Sequence, residues 1–124
     1  MTLALAVAFG GALGAVLRYL ADGAVGDRVG GPFPWGTLSV NVAGSLLLGF
    51  LIGLTWYHGL PEHWRLVLGT GFCGGLTTWS SASWETVRLA EEGLWRHAAT
   101  YALGGLALAL FAGAAGLALA AGLS

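Results

Sequence analysis

Two threonines and three serines fall within the short segment T-T-W-S-S-A-S, Thr77 to Ser83. Just upstream, G-F-C-G-G-L supplies Gly71, Gly74 and Gly75. Hydroxyls at this density are uncharged hydrogen-bond donors and acceptors, and clustered glycines weaken a helix. A helix interrupted here would free carbonyls that can hold a cation. Its restart would turn a positive helix end toward an anion. The alternative is a structural kink between packed helices. Beyond the break, Thr77, Ser80, Ser81 and Trp84 are expected on one helical face, a hydroxyl track ending in an aromatic ring. Glu85 and Arg88 stand three apart, where they can pair.

Two more polar groups lie in apolar surroundings. Asn41, in G-T-L-S-V-N-V-A-G-S, can donate two hydrogen bonds and accept others, as interhelical glue or as a lining group. Ser39 and Ser45 beside it can bond back to their own helix. Arg18, in G-G-A-L-G-A-V-L-R-Y, is either an interfacial arginine reaching for the headgroups or a buried, anion-attracting charge. Enzyme chemistry is not expected. His58, His63 and His97 belong to loops or interfaces, and no nucleophile, base and orienting group cluster. The single cysteine, Cys73, reads as a small buried hydrophobe and excludes a cysteine metal cage.

These groups must be positioned by elements that live in lipid. Of 124 residues, 56% are hydrophobic and 9% are charged, against about a quarter charged in soluble domains. The net charge is −1 and lysine is absent, which excludes a nucleic-acid partner. A cleaved signal peptide is not expected, because no basic segment precedes the first apolar run. A spanning helix needs about 20 mostly apolar residues. On that measure the chain reads as one all-α domain, 1–124, with four spans at about 2–21, 36–56, 64–88 and 94–123, both termini on one side. Gly10 and Gly14, Gly49 and Gly53, and Gly71 and Gly75 stand four apart. In membranes that spacing lets helix backbones approach closely. Four short helices leave little room for a central path, so an oligomer is expected.

The three stretches G-G-A-L-G-A-V-L-R-Y, G-T-L-S-V-N-V-A-G-S-L-L-L-G and G-F-C-G-G-L-T-T, in this order, resemble the Fluc or CrcB family of fluoride channels. The resemblance covers the first three spans and fits the length and four-span layout. It implies an antiparallel, dual-topology dimer in the cell's plasma or inner membrane. The third helix would be broken near its middle, around a structural sodium ion (Na+). Two fluoride pathways would run along the subunit interface. Carried over, the carbonyls of Gly74 and Thr77 would bind the sodium. Asn41, Thr78, Trp79, Ser80 and Ser81 would line the fluoride pathway, with Tyr101 from the fourth helix. Arg18 would be the vestibule arginine and Glu85 a further structural charge. The implied function is passive export of cytoplasmic fluoride.

The sequence departs from the family where Phe-Ser-Thr-Phe is expected, reading Trp79-Ser80-Ser81-Ala82. Trp79 keeps an aromatic edge and adds an N–H donor, while Ala82 has no ring. Positive charge also leans to one side, with Arg28, Arg96 and Arg88 against Arg65. Both features suit a second reading, a degenerate or heterodimer-partner subunit with altered or absent conduction. A small dual-topology multidrug exporter would need a membrane-embedded carboxylate in the first helix. The first acid here is Asp22, at that span's end.

Overall fold

The protein is described by a computed structural model covering residues 1–123. Every regular element among the described residues is helical. Helix α1 is Thr2–Val29, α2 is Trp35–His58, α3 covers 62–76, α4 is Trp79–Glu91 and α5 is Trp95–Ala121. Three of these, α1, α2 and α5, are long and apolar enough to cross a membrane. The remaining span is delivered in two pieces, α3 and α4.

Helix α1 runs past its expected end near Ala21. No proline interrupts residues 22–29, and Gly23 and Gly26 stand in open space. The stop comes at Gly30, whose φ of 67° favours glycine. Pro34 precedes α2, and Gly59, left-handed at φ 71°, closes it. His58 then reaches the last turn of α5, its Nε2 2.7 Å from the Ala120 carbonyl.

Helix α3 is not uniform. After one α-helical turn at Glu62–Arg65, residues Leu66–Cys73 adopt wide π-type turns, and Gly74–Leu76 return to α geometry. The glycines of this segment remain helical. Two of them serve close approach to α1. A Cβ at Gly71 would stand 2.6 Å from the Val7 carbonyl, and one at Gly75 would collide with the backbone of Gly11. Gly10 and Gly14 answer from the other side, against Val67 and Phe72. Helices α2 and α5 meet in the same way, with Gly49 on Gly113 and Gly116 on Leu46. Backbone-to-backbone packing of this kind holds membrane helices without a soluble core. The small buried cluster is Leu38, Leu89, Ala98 and Tyr101, flanked by Phe33 and Ala82. Large side chains such as Phe9, Leu103 and Phe111 are exposed, as a lipid-facing surface requires.

Candidate functional site

The third span breaks at Thr77 and Thr78, just beyond the glycines. Both residues are extended, Thr77 at ψ 160° and Thr78 at φ −151°. Local chemistry ends α3. The Cys73 carbonyl accepts from both the backbone N–H and the hydroxyl of Thr77, each at 2.9 Å. Local chemistry also starts α4. Thr78 is its N-cap, and the Thr78 hydroxyl accepts from the Ser81 N–H at 3.1 Å.

What holds the two ends together comes from elsewhere in the chain. The Asn41 side chain grips the Thr78 backbone at two points. Its Nδ2 donates to the Thr78 carbonyl at 3.0 Å, and its Oδ1 accepts from the Thr78 N–H at 2.7 Å. With Thr78 engaged this way, the Gly74 carbonyl loses its helical donor. Arg18 completes the arrangement by donating to the Thr77 carbonyl at 3.3 Å. Its head therefore lies on the helix break and does not reach for the interface. The four groups Arg18, Asn41, Thr77 and Thr78, remote in sequence, form one polar knot within the bundle.

A groove of about 880 Å³ opens beside this knot, lined among others by Asn41, Gly74, Thr77, Thr78, Trp79 and Tyr101. Gly74 is exposed there, and a Cβ on it would meet nothing within the chain. Trp79 is 77% exposed. Tyr101 is 3% exposed and its buried hydroxyl has no partner among the described residues. The hydroxyl track is arranged differently from the expected one. Thr77 precedes the break, so it does not share a register with α4. Ser80 and Ser81 do not line the groove, whereas Ser83 and Thr86 do. Ser83 and Thr86 bond back to the carbonyls of Trp79 and Ala82, at 2.9 and 2.8 Å. The Ser80 hydroxyl lies 3.4 Å from that of Thr78.

Glu85 does not pair with Arg88. Its carboxylate accepts from the Thr37 hydroxyl at 2.6 Å, while Arg88 lies over the Trp84 ring, 5.5 Å from its centroid. Among the described residues the ion pair is Glu62 with Arg65, at 2.9 Å. Thr37 was not singled out by the sequence. The available signal was its place one turn before Asn41, on the same face of α2. Its buried hydroxyl fixes a carboxylate on another helix, so Thr37→Val should lower stability by about 1–3 kcal/mol. Thermal unfolding in detergent checks this, with Thr37→Ser retaining the parent's Tm. Beyond Glu85, a smaller cavity of about 160 Å³ is lined by Asp22, Glu85, Arg88 and the loop 30–34.

Residues 5–117 match the family described as CrcB-like protein, Camphor Resistance (CrcB). Among curated relatives, a Leifsonia xyli protein named fluoride-specific ion channel FluC 1 is 51% identical over 115 residues, covering 93% of this chain and 82% of its own. A Nitrobacter winogradskyi protein named fluoride-specific ion channel FluC is 47% identical, with 94% and 93% covered. A Thermococcus gammatolerans protein named fluoride-specific ion channel FluC is 52% identical, over 73% of this chain and 72% of its own.

Proposed function

The chain belongs to the CrcB family of fluoride channels, and we propose that it is a subunit of a passive fluoride channel that lets cytoplasmic fluoride leave the cell. It is not an enzyme. The observation that carries the reading is the Asn41 grip on Thr78 at the edge of an open groove. It keeps a non-helical backbone in order at membrane depth, where such backbone persists only when buried in protein or lining a polar path. Fluoride is small and strongly hydrated, so a path for it must replace water with donors that carry no charge of their own. Asn41 retains a second amide hydrogen beyond the one given to Thr78. The Thr78 hydroxyl adds a further group along the same groove, Ser80 and Ser81 flank the α4 start, and Ser83 and Thr86 give their hydrogens to their own helix. Arg18 and the α4 N-terminus bias the region toward an anion.

The groove is open along one side of the bundle, which supports a dimer with the groove face at its centre. In the antiparallel form, two copies in opposite orientation would bring their breaks together. Sodium fits the donors present. The Gly74 carbonyl lacks its helical partner, and carbonyls have two lone pairs, so the Thr77 oxygen can accept from Arg18 and still meet a cation. Neutral oxygens suit a hard ion. Two carbonyls leave sodium short of ligands, and a second subunit would supply the rest. When bound, the ion adds fixed positive potential between subunits.

The test is efflux from liposomes holding the purified chain, fluoride against chloride. Fluoride is expected to leave and chloride to be retained. Silence of the correctly folded chain toward fluoride would overturn a self-sufficient channel. The methyl of Ala82 where the family carries a ring favours the partner-dependent subunit as second reading. A Trp79→Phe, Ala82→Phe double variant that conducts beside a silent parent would establish it.

A further inference from the structure

Serines and threonines in membrane helices commonly give their hydrogen to their own backbone. Ser39, Thr55, Thr77, Ser83 and Thr86 each donate to the carbonyl four residues back. Ser45 and Thr70 do not. Ser45 stands in regular α2, where Ser39 takes that bond and Ser45 leaves it unmade. Thr70 lies in the π-type turns of α3, where backbone bonds reach five residues back and the usual acceptor is displaced. Among the described residues neither hydroxyl bonds any acceptor of the chain, the freed Gly74 carbonyl included.

Both residues line the groove beside the break, Thr70 exposed and Ser45 half-buried. Their level follows from the packing of α2 on α3. Gly44 lies against the Thr77 methyl, and a Cβ on Gly69 would stand 3.0 Å from Leu48 Cδ1, so the two helices run in opposite directions. Ser45 and Thr70 sit between those two contacts, on the side of the break toward the turn at Gly59. Ser45 also follows Asn41 by one turn, on the same face of α2. From Asn41 to Leu48 the helix rises about 10 Å, a third of a hydrocarbon core about 30 Å thick. Over that distance the rest of the groove wall is Leu48, Gly69, Leu106 and Ala109, with buried Cys73. Among the described residues, Ser45 and Thr70 carry its only hydroxyls.

An anion stripped of water needs donors along that stretch, because an apolar wall replaces none of its hydration. We propose that Ser45 and Thr70 form a second donor step on the fluoride pathway, on the opposite side of the break from α4. The inference rests on the fluoride-channel reading and deepens it. A hydroxyl bond to a charged acceptor is stronger than one to a neutral acceptor, and the hydroxyl adds no charge that would hold the ion in place. The wide turns of α3 then have a use, since they leave the Thr70 hydrogen uncommitted.

The experiment uses the intact chain in liposomes. A Ser45→Ala, Thr70→Val double variant removes both hydroxyls and keeps the side-chain volumes close. Neither hydroxyl has a bond within the chain to lose, so Tm and size-exclusion profile should match the parent. Fluoride efflux should fall by about tenfold or more. Thr70→Ser, which keeps the donor and drops the methyl, should conduct as the parent does. A folded double variant with the parent's flux overturns the inference. So does a Thr70→Ser channel as slow as Thr70→Val, which assigns the effect to packing. A second measurement acts on channels already folded and conducting. Thr70→Cys in liposomes meets a small anionic thiol reagent, with the parent, whose single Cys73 is buried, as control. Flux should fall as the new thiol is modified, and the parent's should not. A thiol that stays unmodified, or modification that leaves flux intact, overturns the inference without reference to how the double variant folds. A parent that carries no fluoride is a different result, which removes the channel reading and this step with it.

Discussion

Asn41→Ala is expected to abolish fluoride efflux and to lower thermal stability in the same protein. The substitution removes both hydrogen bonds on Thr78 and leaves its N–H and carbonyl unpaired at membrane depth. Each abandoned backbone group costs about 1–3 kcal/mol. The two ends of the third span would then be free to separate or to anneal into a continuous helix, and either removes the extended backbone that borders the groove. Flux from liposomes should fall by about a hundredfold, with a clear drop in Tm. Asn41→Asp separates the two roles. Its carboxylate can still accept from the Thr78 N–H, but it opposes the Thr78 carbonyl and puts a negative charge beside the anion path. Its flux should suffer more than its fold. Undiminished flux through Asn41→Ala would remove the grip from any account of conduction.

The second large effect concerns two adjacent glycines. Gly75→Ala should leave no folded protein, because its Cβ would be driven into the Gly11 backbone, which cannot yield without moving all of α1. Gly74→Ala should fold as the parent does, since its Cβ meets nothing within the chain. Size-exclusion profiles and thermal unfolding of the two variants should differ sharply. The added methyl of Gly74→Ala still projects into the groove face next to a freed carbonyl. Its expected cost falls on assembly and conduction, read by cross-linking and by flux. A Gly74→Ala protein indistinguishable from the parent in both assays would show that this face stays empty of ion and partner.

Helix existence was legible from apolar length, and the close approaches from glycines four apart, because both are local patterns that lipid leaves unchanged. The position of the break was legible only as a segment. Glycine clustering pointed at Gly71 to Gly75, yet those residues stay helical, with Gly71 and Gly75 packed on α1. The break moved to Thr77 and Thr78 because Asn41 captures Thr78 from 37 positions away. Spacing cannot announce a bond of that reach. Glu85 gives the same lesson. Its local partner by register was Arg88, but Thr37, 48 positions away, takes its carboxylate. One helical register cannot be carried across a break that resets it, so Ser83 and Thr86 reach the groove where Ser80 and Ser81 do not. The helical overrun of α1 to Val29 had no signal, since charged residues alone do not end a helix.

Arg18 gives the break a counter-charge that is part of the polypeptide. A dissolved cation comes and goes with the ionic content of its surroundings, and dialysis can take it away. A guanidinium tethered to the first helix cannot be washed out. Part of the attraction this region exerts on an anion is therefore a permanent property of each single chain, present from the moment it enters the bilayer and independent of the salt on either side.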